Sequence, residues 1–316
     1  MENNIRRPIM ELATKNPTPI QALDVSPDGS MLLVGQHTNN SRHPNLSIWS
    51  PTSWQHIQDV NVGSALPILM ARFSADGQTI ALVDTDMIPR FYNLVTNETQ
   101  IFTDNYIAVQ WLSFGHSTDV LVVAGEQTSA VNINSGNELW SHSEKSEPNN
   151  AGEILPILAS IDSSANRIAI AGGKNKQVSI FNLAEQLIEK TFNTDYSRFR
   201  WIDSDLHMKY LAAIPINGER LYLWDVSSGR EVHLNDFVEE ATGYWSLRFH
   251  PNRNYLALGM RGGYIVLINL SGRAYYIDEN VHRGFIRDLC FTPDGRFLIT
   301  GGIEGTVKIW DLEPIQ

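Results

Sequence analysis

The stretch Phe291-Thr-Pro-Asp-Gly-Arg-Phe-Leu-Ile-Thr-Gly-Gly-Ile-Glu-Gly-Thr-Val-Lys-Ile-Trp-Asp311 alternates short apolar runs with residues that favour turns. Pro293 presets φ and Gly295 accepts a positive φ, so this segment predicts a tight turn. The runs on either side are rich in branched and aromatic residues, which is typical of β-strands. A second glycine-rich turn follows, and the stretch therefore predicts three short strands.

The same plan recurs six more times towards the N-terminus. Each copy closes an apolar run with an aromatic residue or Ile followed by Asp, Asn or Ser, and successive endings lie 41 to 48 residues apart. The seven endings are Trp49-Ser50, Tyr92-Asn93, Ile133-Asn134, Phe181-Asn182, Trp224-Asp225, Ile268-Asn269 and Trp310-Asp311. A period of about 40–45 residues indicates one supersecondary unit that is repeated. We predict an all-β fold that forms one domain over residues 1–316.

A fourth strand is predicted after every ending except the last, where the sequence stops soon after Asp311. An apolar segment near the N-terminus, at residues about 8–13, belongs to no repeat. A ring in which this segment completes the last unit removes an open strand edge that would otherwise invite aggregation. We therefore predict that the N-terminal strand closes the fold.

The first hairpins of repeats three and five differ from the others when they are counted from an aromatic residue. Trp111 and Trp201 stand farther from the next predicted strand than Phe291 does in repeat seven. On this count the turns at Leu112–Thr118 and Ile202–Met208 are longer than their counterparts, and we expect them to protrude.

With these features the chain resembles the WD-repeat β-propellers. The segments that carry the resemblance are Phe291–Asp311, Leu221-Tyr-Leu-Trp-Asp225 and Leu23-Asp-Val-Ser-Pro-Asp-Gly29. The resemblance implies a seven-bladed β-propeller in which the N-terminal strand completes the last blade.

Members of this family often contain a buried tetrad of His, Ser or Thr, Asp and Trp within a blade. By resemblance only repeat seven has such a group, with a glutamate where the aspartate is usual. Its members are His282, Thr300, Glu304 and Trp310. Because the positions that match Thr300 are apolar in the other repeats, we expect those blades to be held by packing alone.

The resemblance also implies a docking surface. The loops before each first strand and those between the second and third strands share one face, called the loop face below. Aromatic and arginine residues are enriched at interaction hot spots, and on this face they gather in repeats five to seven. The predicted anchors are Tyr196, Arg198, Tyr244, Trp245, Arg283 and Phe285.

One position on each first strand, just before its large apolar residue, is charged in four repeats. These residues are Asp24, Arg72, Arg200 and Arg248. Charges on an innermost strand need water or a partner, so we expect them to reach the central channel. Two interpretations stay open: a hydrated, self-paired lining, or a site for an anion or an acidic peptide.

The composition limits the possible functions. The formal net charge is −11, which is unlike the basic footprint of a nucleic-acid binder. No stretch has the length and apolar character of a membrane span or signal segment, so we expect a soluble, cytoplasmic protein. The single cysteine, Cys290, argues against a cysteine-based zinc site.

The sequence contains no phosphate-binding loop, dinucleotide fingerprint or hydrolase motif. We therefore expect a noncatalytic scaffold that binds proteins or peptides, with no cofactor, metal or small-molecule substrate. The alternative is a propeller enzyme such as a metal-dependent lactonase. That chemistry needs three or four oxygen or nitrogen ligands in the channel, whereas the charged positions there are mostly arginine.

Overall fold

The computed structural model describes residues 7–14, 17–37, 45–102, 108–115, 118–143, 157–173, 176–232, 243–270, 273–278 and 281–313. These residues form seven four-stranded β-sheets and include no helix. No helix long and apolar enough to cross a membrane therefore occurs within these ranges. The seven sheets are the blades of a seven-bladed β-propeller, which confirms the predicted fold class.

The first four blades follow the order of the sequence. Blade one contains β2 (Ile20–Val25), β3 (Leu32–Gln36), β4 (Leu46–Trp49) and β5 (His56–Val60). Blade two contains β6 (Ile68–Phe73), β7 (Thr79–Asp84), β8 (Pro89–Asn93) and β9 (Glu98–Ile101). Blade three contains β10 (Trp111–Phe114), β11 (Val120–Ala124), β12 (Thr128–Asn132) and β13 (Glu138–His142). Blade four contains β14 (Leu158–Ile161), β15 (Arg167–Ala171), β16 (Gln177–Asn182) and β17 (Leu187–Asn193).

The last three blades include the one that joins distant parts of the chain. Blade five contains β18 (Phe199–Ser204), β19 (Tyr210–Pro215), β20 (Tyr222–Asp225) and β21 (Arg230–Glu231). Blade six contains β22 (Tyr244–Phe249), β23 (Tyr255–Met260), β24 (Ile265–Asn269) and β25 (Arg273–Asp278). Blade seven contains β26 (Ile286–Phe291), β27 (Phe297–Gly302), β28 (Thr306–Asp311) and, as its fourth strand, β1 (Met10–Ala13).

The N-terminal strand closes blade seven, as the sequence predicted. Strand β1 runs antiparallel to β28, with Met10 opposite Ile309 and Ala13 opposite Thr306. Leu12 on β1 is buried in the hydrophobic core that includes Ile309. Thr14, just after the strand, donates a hydrogen bond from Oγ1 to the carbonyl of Gly305 over 2.8 Å. The edge of β28 is therefore covered by hydrogen bonds and by apolar packing.

The chain divides into two compact units. One comprises Met1–Ala71, Gly218–Arg220 and Val232–Gln316, and the other Arg72–Asn217 and Leu221–Glu231. Both units are built from the same repeated sheet. The assignment of residues 1–316 to one domain stays a prediction.

The hairpin between the first and second strands has the same hydrogen bonds in different blades. In blade seven, Thr292 N donates to Phe297 O over 3.0 Å and Gly295 N donates to Thr292 O over 2.8 Å. The corresponding bonds in blade five are Asp205 N to Tyr210 O (3.1 Å) and Met208 N to Asp205 O (2.9 Å). Those in blade three are Gly115 N to Val120 O (3.1 Å) and Thr118 N to Gly115 O (3.4 Å). The prediction that Leu112–Thr118 and Ile202–Met208 form longer, protruding hairpins is therefore wrong.

The error has a structural cause, because β18 continues past Trp201. Ile202 pairs with Ala213 just as Leu289 pairs with Thr300, so Ser204 is the residue before the turn. This register places Asp203, and not Arg200, at the predicted channel position of blade five. Arg200 instead lies at a β-bulge between Phe199 and Trp201.

Blade six starts its hairpin turn with a histidine. His250 is buried; its Nδ1 accepts hydrogen bonds from Asn252 N (3.1 Å) and Arg253 N (3.0 Å). Because Nδ1 accepts, the proton is on Nε2, which donates to Gly295 O in blade seven over 2.9 Å. Burial opposes the charged form and lowers the pKa of His250 to about 4. The neutral imidazole thus joins the turns of two blades.

A loss of stability in acid is expected from this histidine. Its pKa is depressed in the folded state, so its contribution is fully present above pH 6.5 and is lost as the pH falls towards 4. The shift corresponds to about 3 kcal/mol of unfolding free energy. Urea unfolding at pH 7, 5.5 and 4.5 measures it, with His250→Ser as the comparison because blade one has Ser26 at this place. Identical pH dependence in the two proteins would contradict the assignment.

Candidate functional site

Three loops on the loop face of blades six and seven are tied together by their backbones. Arg261 N, after β23, donates to Gly243 O, before β22, over 2.6 Å. His282 N, ahead of β26, donates to Gly263 O over 3.1 Å. Gly263 has a φ of +85°, and a Cβ at this position would lie 2.0 Å from the carbonyl oxygen of His282. Glycine is therefore required for this close approach.

Four side chains meet on these loops and are called the Arg–Trp cluster: Trp245, Arg261, Phe285 and Arg287. The rings of Trp245 and Phe285 have centroids 4.1 Å apart and are inclined by 45°. The Cζ atom of Arg287 lies 5.1 Å from the Trp245 centroid and 5.9 Å from that of Phe285. The Cζ atom of Arg261 lies 5.3 Å from the Phe285 centroid. Phe285 is thus in cation–π contact with two guanidinium groups.

The first strands present two members of the cluster in the same way. Trp245 lies at a β-bulge in β22, and Arg287 lies at the equivalent bulge in β26. A bulge leaves one residue outside the regular pairing and changes the direction of its side chain. Both side chains are partly exposed, while Arg261 and the nearby Arg283 are exposed. The cluster is therefore a partly open surface on a fixed backbone.

The cluster is cationic. Within the described residues, no carboxylate forms an ion pair with Arg261, Arg283 or Arg287. The Nε atom of Arg287 is buried and has no hydrogen-bond partner in this part of the chain. Burial lowers the pKa of the Arg287 guanidinium, because it weakens the hydration of the charge.

The sequence-predicted anchors have different environments. Trp245 and Phe285 belong to the cluster, and Arg283 is exposed next to it. Tyr244, the first residue of β22, is only 3% exposed and so offers little surface to a partner; its role as an anchor stays a prediction. Tyr196 and Arg198 belong to the other unit, are partly exposed and stay predictions.

Arg261 is not among the predicted anchors, although its place in the repeat is a signal. It is the first residue of the loop between the second and third strands of blade six. That type of loop was assigned to the loop face, so counting along the repeat also places Arg261 there.

The four tetrad-like residues of blade seven lie together. His282 Nε2 is 2.8 Å from Thr300 Oγ1, and Trp310 Nε1 donates to the same oxygen over 3.1 Å. His282 Nδ1 is 2.6 Å from Glu304 Oε1. Burial favours the neutral acid, but the hydrogen bond and charge of His282 hold the pKa of Glu304 at about 2.

The order Glu304–His282–Thr300 is formally that of an acid, a base and a hydroxyl nucleophile. Thr300 is completely buried, however, and its oxygen already accepts the Trp310 indole hydrogen bond. A nucleophile must reach its substrate, so this network has a structural role.

The predicted channel residues are not equivalent. Asp24 and Arg248 are partly exposed, and Arg72 is 7% exposed. Arg248 lies 3.9 Å from the buried carboxylate of Asp288. Arg200 does not occupy the predicted channel position in the observed register. Its Nη2 donates to Ile216 O over 2.5 Å.

Asp288 joins blades seven and one, a role that the sequence did not reveal. It is 1% exposed, and its Oδ2 accepts a hydrogen bond from Leu23 N over 2.9 Å. Its Oδ1 accepts from Leu289 N over 2.8 Å. The Asp288 carboxylate therefore accepts the hydrogen bond of a backbone N–H group in the neighbouring blade.

The described residues do not meet the requirements of a metal site. No group of three or more His, Cys, Asp or Glu side chains there is arranged to hold a metal ion.

Comparison with known proteins agrees with this architecture. The family model described as "WD domain, G-beta repeat" matches residues 278–311. The chain is 36% identical over 145 residues to DDB1- and CUL4-associated factor 13 of Dictyostelium discoideum, covering 43% of this chain and 31% of that protein. It is 24% identical over 246 residues to pre-mRNA-processing factor 19 homolog 2 of Arabidopsis thaliana, covering 76% of this chain and 44% of that protein.

A solved structure has the same fold. A chain in the crystal structure of the mitotic checkpoint complex superposes with a TM-score of 0.74 at 14% identity, covering 96% of this chain and 91% of that one. With seven blades and the matched repeat at residues 278–311, the chain is similar to the WD-repeat propellers. It matches about a third of the length of the Dictyostelium relative and of a WD repeat-containing protein of Schistosoma mansoni.

Proposed function

We propose that this protein is a noncatalytic interaction platform and that a protein or peptide partner docks on the Arg–Trp cluster. The observation that carries the proposal is the packing of Trp245 against Phe285, with Arg287 and Arg261 over the rings, on a partly exposed surface. Tryptophan and arginine are the residues most enriched at interaction hot spots. The backbone hydrogen bonds between the loops hold this surface in place, which reduces the entropy lost on binding.

The similarity to WD-repeat proteins supports a scaffold in general terms. The identity of the partner is proposed here from the chemistry of the cluster. The alternative, a lactonase-like propeller enzyme, is favoured by no described feature. Its chemistry needs several convergent oxygen or nitrogen ligands, and the described residues offer no such group. The charged side chains of the Arg–Trp cluster are arginines, which repel a metal cation.

A peptide-display selection tests the proposal directly. Random 12-residue peptides are selected on the immobilised protein, and the affinity of the enriched peptides is then measured for Trp245→Ala. Truncation of a hot-spot residue costs about 2 kcal/mol or more, so we expect at least a roughly thirtyfold loss of affinity. Circular dichroism and thermal unfolding establish that the variant remains folded.

Trp54→Ala is the matched control. Trp54 is also partly exposed and packs edge-on against a phenylalanine, Phe297, with ring centroids 5.4 Å apart. Trp54 lies in the loop between the third and fourth strands of blade one, on the face opposite the loop face. The affinity should therefore not change. Equal binding by Trp245→Ala and the wild-type protein would place the docking site outside the cluster.

A further inference from the structure

We infer that the Arg–Trp cluster selects an acidic peptide segment, in which an Asp or Glu carboxylate pairs with Arg287 while an adjacent apolar side chain lies against Trp245 and Phe285. This inference rests on the proposed function and specifies the chemistry of the partner.

The charge of Arg287 is incompletely compensated. Its guanidinium is partly removed from water, and burial lowers its pKa. The two aromatic rings supply cation–π attraction, but a cation–π contact leaves the N–H donors without an acceptor. The buried Nε atom has no partner among the described residues. A carboxylate bound at the exposed part of the guanidinium would accept from its N–H donors and offset the desolvation of the charge.

Another arginine of the same blade stacks on an aromatic ring and has carboxylate partners. Arg296 also lies over an aromatic ring, with its Cζ 4.9 Å from the Phe297 centroid. Its Nη2 is 3.0 Å from Asp311 Oδ2 and 3.3 Å from Glu313 Oε2, so the chain itself provides the carboxylates. At Arg287 the stacking is present and no described carboxylate accompanies it. The partner is therefore expected to supply the missing group.

The surroundings of Arg287 are also cationic. Arg261 and Arg283 are exposed nearby and extend the positive charge along the surface. Two described acidic residues of blade seven already have partners: Glu304 Oε1 lies 2.6 Å from His282 Nδ1 and accepts from Thr306, and Asp288 accepts from two backbone amides. With a chain net charge of −11, a local cationic surface directs an acidic segment to this place rather than elsewhere.

The apolar part of the ligand follows from the rings. Trp245 and Phe285 are in contact with each other and are both partly exposed. A side chain such as Leu or Phe next to the carboxylate would bury the exposed area of the two rings. It would also exclude water from the ion pair with Arg287 and so strengthen that pair. A run of acidic residues without an apolar neighbour should bind less well.

The test uses the library of random 12-residue peptides and examines the composition of the peptides whose binding depends on Trp245. We expect Asp and Glu to be enriched several-fold over the unselected library next to an apolar residue. Replacing their acids by Asn or Gln should weaken binding about tenfold to a hundredfold, as expected for a charge-assisted hydrogen bond. Raising NaCl from 50 to 300 mM should weaken it further.

Two arginine variants localise the effect. Arg287→Gln should lose the acid-dependent part of the affinity, whereas Arg287→Lys keeps the charge and should retain part of it. Arg296→Gln removes the same charge from the other end of the blade and should bind like the wild-type protein. Thermal unfolding of each variant shows that the fold is intact.

The outcomes separate the two proposals. Peptides that depend on Trp245 but show no acidic preference, and that bind Arg287→Gln as tightly as wild type, would overturn this inference and leave the docking site in place. A selection that yields no Trp245-dependent peptide would overturn both. A phosphoserine peptide that binds more than tenfold tighter than its Asp counterpart would replace the carboxylate by phosphate and overturn the assignment to Asp or Glu.

Discussion

Trp310→Ala is expected to lower the unfolding free energy by about 3–5 kcal/mol, the usual cost of truncating a buried tryptophan. Trp310 is completely buried, and its indole nitrogen donates to Thr300 Oγ1. The variant would leave a cavity between blade seven and its neighbour and would remove one of the two hydrogen bonds at Thr300. Urea unfolding followed by far-ultraviolet circular dichroism measures the change.

Thr300→Val separates hydrogen bonding from packing. Valine keeps the shape of threonine and stands at the equivalent place in blade one, where Val34 pairs with Leu23 as Thr300 does with Leu289. Its expected cost is about 1–3 kcal/mol, because His282 and Trp310 lose their common partner. A Trp310→Ala protein destabilised by less than 1 kcal/mol would contradict the structural role of this network.

Deletion of residues 1–14 is expected to have the second large effect. It removes β1, uncovers the edge of β28 and exposes the core around Leu12. Burial of one leucine side chain contributes about 1.5–3 kcal/mol, and the lost strand pairing adds to this. We expect a lower melting temperature and self-association through the open edge, measured by thermal unfolding and by light scattering after gel filtration.

Leu12→Ala in the full chain is the control for this deletion. It keeps the strand and its hydrogen bonds and removes only the buried side chain, so it should destabilise the protein while leaving it monomeric. A deleted chain that melts at the wild-type temperature and remains monomeric would show that β1 is dispensable.

The fold could be predicted because its signals are repeated. A single strand pattern is ambiguous, but seven copies at a nearly constant spacing indicate one unit, and the strand missing from the last copy points to β1. The tetrad-like residues were found because a tetrad requires specific residue types at fixed places.

The registers of blades three and five could not be predicted because their turns lack the usual residues. Blade seven uses Gly295 at the end of its turn, with a φ of +72°. Blade five uses Met208 at the same place, with a φ of +50°. A positive φ is unfavourable for methionine, and the complete burial of its side chain offsets the cost. This compensation is tertiary and has no signature in the local sequence.

The candidate site was predicted only in part for a related reason. Trp245, Phe285 and Arg283 could be assigned to the loop face by counting along the repeat. The exposure of each side chain depends on strand register and on bulges, which is why Tyr244 is buried beside the partly exposed Trp245. The contact of Arg261 with Phe285 joins two blades, and a reading confined to one repeat does not reveal it.

The closure of blade seven also sets an order of events during protein synthesis. Thr14 and its partner Gly305 are 291 residues apart. At about 5–20 residues per second, a ribosome needs about 15–60 s to add that length. Strand β1 therefore leaves the ribosome long before β28 exists, whereas each other blade has its four strands within one short stretch of chain. Blade seven assembles last, and the apolar segment around Leu12 is the part of the nascent chain that a chaperone would encounter unpaired for the longest time.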